Sequence, residues 1–203
     1  MAEAQRRRLS PDARRALLLD AALDTFVAQG YAQSGLAEIA AGAGVSKTLL
    51  YHYFPDGRPE LYREVVTRLT GPALDEVRDA ARAPISAERR LARIIDAVLS
   101  LFEAHPAAYR LAVLEPNGSG DPGIAGQAMA LRTNLVAALA AVAASANRPA
   151  EEITAGASAA LGSLLAVCEL RTAGELDAEQ ARRVAGEFVG GGLTGLGLLA
   201  SSS

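Results

Sequence analysis

A chain of 203 residues suits one or two compact units and can bury a substantial core. Half of its residues are apolar but only 4% are aromatic, and alanine and leucine abound, a composition for helices packed closely through small side chains. The net charge of −3 disfavours a polyanionic partner for the molecule as a whole. Its distribution does not, because residues 1–68 hold nine Lys/Arg against eight Asp/Glu and the remainder hold eleven against fifteen.

The chain opens on a basic run, Arg6-Arg7-Arg8, in the stretch 1–12. It reads either as an arm entering a minor groove or as a solvated tail. Ser10-Pro11 supplies an N-cap and a first-turn proline. Leu18, Leu19, Ala22, Leu23 and Phe26 then mark one helical face, and Gly30 ends the helix. A short second helix starts at Ser34 or Gly35 and holds Leu36, Ile39 and Ala40. Gly42-Ala43-Gly44 makes a turn, and Ser46 caps a third helix to about Tyr53. Asp56-Gly57 breaks the chain, Pro59 opens a fourth helix, and Gly71-Pro72 is expected to kink or end it.

Longer helices follow. One runs from the Ser86 cap to Ala104, closed by His105-Pro106, and another covers about 107–114. Pro116-Asn117-Gly118-Ser119-Gly120 reads as a loop. Asp121-Pro122 opens an alanine-rich helix reaching about Ala146, and Pro149 opens the next, to about Thr172. Leu176-Asp177 with Gln180 reads as a capping box with a staple, before a last helix to about Leu199. Nothing reads as a strand, so the class is all-α.

The second and third helices read as a helix-turn-helix. Leu36, Ile39, Ala40, Val45 and Leu50 bind them to each other and to the first helix, leaving Lys47, Thr48, Tyr51 and His52 outward. Ser46, Lys47, Thr48, Tyr51, His52 and Tyr53 are the side-chain types that grip phosphates and reach base edges. The alternative for such a segment is a short capped helix without a ligand.

LLLDAALDTFVAQGY followed by EIAAGAGVSKTLLYHYF resembles the N-terminal domain of TetR-family transcriptional regulators over roughly residues 13–66. The resemblance implies a three-helix DNA-binding domain at 13–58 and a larger helical ligand-binding and dimerisation domain at 59–203. It implies phosphate contacts from Ser46, Tyr51 and Tyr53, base contacts from Lys47, Thr48 and Tyr51, and either role for His52. Four positions depart from the family pattern. Gly35 stands where a threonine or serine frequently supplies a phosphate contact and cap, and Ser34 and Gly35 are the expected DNA contacts at that end of the second helix. Ala37 stands where a basic residue is frequent. Leu49 replaces a small residue, and either meets a thymine methyl or packs inward. An extra residue in PDGRPEL displaces the expected lysine, for which Arg58 is the substitute.

The resemblance also implies a homodimer through the last two long helices and a small-molecule effector. Leu161, Leu164, Leu165 and Cys168 recur at helical spacing with Ala157, as do Phe188, Gly191, Gly192, Gly195 and Leu196 with Val184. The glycines permit close backbone approach. Leu161, Leu164, Leu165, Phe188, Gly192 and Leu196 are therefore the expected interface. Phe102, His105, Tyr109, Met129, Arg132, Cys168 and Arg171 are the expected effector contacts, set among Leu, Val and Ala and so suited to an apolar ligand. Asn134 lies on the same helix as Arg132. For His105 a helix cap, for Arg132 an ion pair, for Met129 and Cys168 a place in the core are the alternatives.

Enzyme chemistry lacks a motif. There is no Walker loop, G-x-S-x-G or strand-linked G-x-G-x-x-G, and Gly190-Gly191-Gly192 falls inside a helix. Two histidines and one cysteine lack metal-ligand spacing, so no metal and no cofactor are expected. One cysteine excludes an internal disulfide and fits a reducing compartment. The basic start lacks a signal-peptide h-region, and no apolar run reaches the roughly 18 residues of a membrane span, so a cytosolic protein is expected. The expected function is a homodimeric repressor that releases a near-palindromic operator in double-stranded DNA when an effector binds. The contrasting reading is a ligand-binding or scaffold protein of the same fold with weakened DNA binding.

Overall fold

A computed structural model describes residues 10–118, 120–143 and 146–199. Arg6-Arg7-Arg8 lies outside the described residues. Among these the chain is helical and without strands: α1 Pro11–Gln29, α2 Leu36–Gly42, α3 Lys47–Tyr53, α4 Arg58–Arg82, α5 Ala87–Ala104, α6 Pro106–Tyr109, α7 Pro122–Val142, α8 Ala150–Thr172 and α9 Ala178–Gly195. A π-helical turn, Arg110–Leu114, and a 3-10 turn, Glu115–Gly118, follow α6.

The punctuation works as the sequence suggests. Ser10 accepts a hydrogen bond from Ala13 N, Ser46 from Leu49 N, and Ser86 from Arg89 N. Asp177 and Gln180 form both halves of the capping box before α9. Asp121 Oδ1 accepts from Gly123 N at 2.8 Å and Ile124 N at 3.2 Å to start α7.

Four boundaries differ from expectation. α4 continues through Pro72, whose ring sits on an exposed side of the helix. The carbonyl that a proline deprives of its donor there is that of Arg68, an exposed residue. The stretch read as a loop at 116–120 begins as the 3-10 turn instead. α7 ends at Val142 rather than Ala146. α9 ends at Gly195 rather than Leu199, because Gly197 adopts φ 69° and closes a Schellman motif: Leu198 N donates to Leu193 O at 2.8 Å and Gly197 N to Thr194 O at 2.9 Å.

By length and mean hydropathy, 1.2 and 1.6, α7 and α8 reach the level of a membrane-crossing helix, a level that core helices also reach, although polar residues interrupt the apolar run in both. α8 spends its apolar stripe on a protein core: Ala157, Ala160, Leu161, Leu164, Val167 and Cys168 are buried.

The chain divides into two compact units, one of residues 1–68 with 110–127, the other of 69–109 with 128–203. The first unit thus takes in two stretches, the start of α4 and residues 110–127, that the sequence reading places with the larger domain.

In the first unit Leu18, Phe26, Ile39, Leu50, Phe54 and Leu61 are fully buried and hold α1–α4 together. Tyr62 meets Phe26 edge-on at 5.1 Å and Tyr31 at 4.9 Å. Residues 110–127 join this cluster through polar groups. Arg110 donates to the carbonyls of Phe26 (2.8 Å) and Val27 (2.6 Å) in the last turn of α1, where a cation complements the exposed carbonyl ends. Its Nε lies 3.2 Å from Glu115 Oε1. Glu115 Oε2 accepts the Tyr31 backbone N–H at 2.9 Å. Tyr62 Oη donates to Leu111 O at 2.6 Å, and burial together with Glu115 holds its phenol strongly protonated. Tyr31 Oη donates to Asp121 at 3.2 Å; burial and that carboxylate raise its pKa as well. Gln127 donates to Arg63 O at 2.7 Å and Thr67 Oγ1 at 2.9 Å.

In the second unit α5 buries Leu91, Ile94, Ile95, Val98, Leu99 and Phe102, and α9 buries Ala181, Ala185, Val189 and Leu193 at four-residue spacing. At Gly156 on α8 a Cβ would meet the Cδ1 end of Leu198 in the closing turn, so a larger residue there must displace that side chain. Arg182 joins α9 to α5, donating to Asp96 at 2.8 Å and to both oxygens of Glu103 at 3.0 and 2.9 Å. The Arg182 hydrogen bonds hold the Glu103 carboxyl below its usual range.

Glu115→Ala is expected to cost about 1–3 kcal/mol, because it strands the Tyr31 N–H and the Arg110 guanidinium together. Urea unfolding checks this; a midpoint unchanged from wild type contradicts the role given to Glu115.

Candidate nucleic-acid interface

α3 is too short to be stable alone. Its form comes from its surroundings: the Ser46 cap at one end, fully buried Leu50 in the middle, and fully buried Phe54 just beyond the other. The tight turn before it is set by Gly44 at φ 64°, with Val45 N donating to Ala40 O at 2.9 Å. This anchoring turns the remaining faces outward. Lys47, Thr48, Tyr51 and His52 are exposed, Leu49 and Tyr53 half-buried.

Tyr51 is 43% exposed. The edge of its ring lies beside Gly57, at φ 70°, and Leu36 closes on the same glycine. The Lys47 ammonium stands 5.8 Å from the Tyr51 ring centroid, so both polar tips belong to one patch. His52 and Tyr53 rings meet edge-on at 5.5 Å. Together α3 offers cationic, hydroxyl and imidazole donors on a convex rod, the form that fits a major groove.

The remaining expected DNA contacts are placed differently. Ser34 is buried, and its hydroxyl donates to Gly30 O at 2.6 Å, so it serves the α1–α2 turn rather than a surface. Gly35 is the exposed N-cap of α2 and supplies no side-chain cap. Arg58 stacks on Tyr31 at 4.5 Å and donates to Ala32 O at 3.0 Å and Ser34 O at 3.3 Å. It thereby secures the same turn and is half-buried.

In the second unit the structure gathers only some of the expected effector contacts. Phe102 and Tyr109 are buried and meet edge-on at 5.4 Å, and Cys168 is fully buried. Burial pushes the Cys168 thiol up to about 12. Tyr109 Oη donates to Glu169 at 3.4 Å, and burial with that carboxylate pushes the phenol up to about 12. Arg171 is paired with Glu103 at 3.4 Å. His105, Met129 and Arg132 lie exposed; His105 ends α5 through its backbone N–H, not its ring. Glu103 and Glu169 are the acidic groups the sequence reading overlooked, since their partners lie some 60 or more residues away.

The expected interface residues also divide. Phe188, Gly192 and Leu196 are exposed along one face of α9, whereas Leu161 and Leu164 are buried inside the unit and Leu165 is half-buried. The exposed stripe of α8 is instead Ala155, Ala159, Gly162, Ala166 and Leu170. Apart from Leu170 this stripe is made of small residues.

The first unit is thus a helix-turn-helix domain with an outward-facing third helix. The profile of the bacterial regulatory proteins, tetR family, matches residues 18–65, so this helix-turn-helix domain is of the tetR-family type. It is 38% identical over 120 residues to the HTH-type transcriptional activator FasR of Mycolicibacterium smegmatis, covering 59% of this chain and 54% of that protein. It is 33% identical over 101 residues to the HTH-type transcriptional regulator LuxR of Vibrio harveyi, covering 50% and 49%. The chain therefore matches about half the length of these relatives. A TetR-like transcriptional regulator from Rhodococcus sp. RHA1 shares the fold with TM-score 0.77 at 23% identity, over 93% of this chain and all of that one.

Proposed function

We propose that this protein is a DNA-binding transcriptional regulator and not an enzyme, acting in the cytoplasm as a homodimer. A small apolar effector, bound in its second unit, releases it from a near-palindromic operator, and in this reading it acts as a repressor. The observation that carries this reading is α3 itself: Leu50 is fully buried while Lys47, Thr48, Tyr51 and His52 face solvent on one short helix. Ligand and DNA must then weaken each other by the same factor. FasR is named an activator, so a promoter-reporter measurement with the gene present and deleted decides the sign. Gly35, which brings no side chain to its end of α2, favours the second reading, a protein of this fold with weakened DNA binding.

Selection of DNA on the purified protein is expected to yield half-sites centred about one helical turn, or a multiple, apart. With that duplex, Tyr51→Ala should weaken binding to all sequences. Lys47→Ala should also relax one base pair per half-site, by about 1–3 kcal/mol. If six to ten phosphates are neutralised, log K should fall with log salt at a slope of roughly −5 to −9. A flat salt response removes α3 from this role and favours the second reading.

The dimer is expected to form across the exposed faces of α8 and α9. Phe188 is 70% exposed, so Phe188→Glu leaves the protomer's core untouched. Light scattering should then show a dimer for wild type and a monomer for the variant. A wild-type monomer at micromolar concentration contradicts the proposal.

For the effector, the buried cluster of Phe102, Tyr109 and Cys168 favours an apolar ligand. Calorimetric titration of fatty and aromatic acids, alcohols and amines should find its tightest binders among those with large apolar bodies. Each true effector must lower operator affinity in the same preparation. If only strongly charged compounds bind, this assignment is wrong.

A further inference from the structure

We infer that Arg15 is a positioning residue for the recognition helix: it clamps the C-terminal end of α3 and so determines which bases α3 reads, without touching DNA itself. The inference rests on the proposed DNA-reading function of α3.

Three contacts converge on this one guanidinium. Its Nη1 donates to the backbone carbonyl of Tyr53, the last residue of α3, at 2.8 Å. Its Nη2 pairs with the carboxylate of Glu64 on α4. Its plane lies over the ring of Phe54, 4.3 Å from the centroid. Arg15 stands in the second turn of α1, so α1, α3 and α4 meet in a single planar group.

The position of these contacts gives them their meaning. The N-terminal end of α3 is held by the turn from α2, through Val45 N to Ala40 O at 2.9 Å, and by the Ser46 cap. Its middle is held by Leu50. The C-terminal end has carbonyls with no partner inside the helix, and Arg15 takes one of them. Phe54, fully buried just beyond that end, anchors the chain there, and the Arg15 guanidinium against its ring sets how the last turn of the helix is directed. Tyr51, His52 and Tyr53 sit at that end, and a small rotation of the helix shifts Lys47, Thr48 and Tyr51, the side chains assigned to bases, against neighbouring base edges. The guanidinium suits the task because its planar fork stacks on one group while donating in two directions, which an ammonium does not do. With its side chain 36% exposed and two of its faces already used, Arg15 is a poor candidate for a free phosphate-binding cation.

The test compares wild type, Arg15→Ala, Arg15→Lys and Glu64→Gln. The probes are a duplex selected on the wild-type protein and a scrambled duplex of equal composition, each titrated across a range of salt concentrations. Circular dichroism and thermal melting confirm that each variant is folded. A clamp predicts that Arg15→Ala lowers the ratio of selected to scrambled affinity by roughly tenfold or more, the scale of one mismatched base pair. Its scrambled-duplex affinity and salt slope should stay as in wild type. Arg15→Lys and Glu64→Gln should fall between, which also covers the case in which Arg15→Ala does not fold. If affinity for both duplexes drops equally and the slope shrinks by about one, Arg15 is a phosphate contact and the inference is wrong. If folded variants keep the wild-type ratio, the clamp is purely structural and the inference is again wrong. A wild-type protein that prefers no sequence overturns the DNA-reading function, and the clamp with it. Loss of the preference only on substitution leaves that function standing and supports the clamp.

Discussion

The carboxylate of Glu115 is the junction on which the first unit depends. Tyr31 donates to it from 84 positions earlier in the chain, and Arg110 sits beside it at 3.2 Å. Glu115 is half-buried, and separating the two stretches leaves the Tyr31 N–H without this acceptor and Arg110 without its ion pair. The aromatic contacts of Tyr62 with Phe26 and Tyr31 supply the apolar part of the same junction. Residues 110–127 therefore belong physically with the helix-turn-helix, although they follow α5 and α6 in the chain.

The recognition helix is economical in the same sense. Seven residues do not make a stable helix in water. α3 therefore borrows its order from a serine cap, one fully buried leucine and the aromatic residue that follows it. Such dependence frees its polar side chains from structural work. Tyr51 shows how: the edge of its ring lies beside Gly57, and the residue is still 43% exposed. Ser34 and Arg58, by contrast, are occupied. Their donors are spent on carbonyls of the α1–α2 turn, which leaves Gly35 and α3 as the exposed part of the motif.

In the second unit α8 buries Leu161, Leu164 and Val167 together with Ala157 and Ala160, and its exposed stripe is mostly small, Ala155, Ala159, Gly162 and Ala166, ending at Leu170. α9 does the converse with its outer face, where Phe188 and Leu196 stand among glycines. Small residues beside isolated large ones make a surface that two helices can approach closely, which is why both faces enter the proposed dimer.

How much of this was legible in the sequence follows from the range of each interaction. Caps act over three or four residues, so Ser10, Ser46, Ser86 and the Asp177–Gln180 box could be read in advance, as could the outward faces of α3 and α9. The family motif reports the same local pattern and reaches no further than residues 18–65. Helix ends set by backbone geometry were less legible. Pro72 passes inside α4 because it lies on the solvent side, and Gly197 rather than Leu199 closes the last helix. Which stripe of α8 faces the core, and whether Arg58 reaches outward or folds back on Tyr31, depends on partners more than 20 residues away. The same holds for Arg15 and Glu115. A charged side chain carries no mark of its partner, because ion pairing and carbonyl capping are set by position in space. The local rules therefore determined the helices and the class of protein, and tertiary packing alone decided which polar groups remained free to meet DNA.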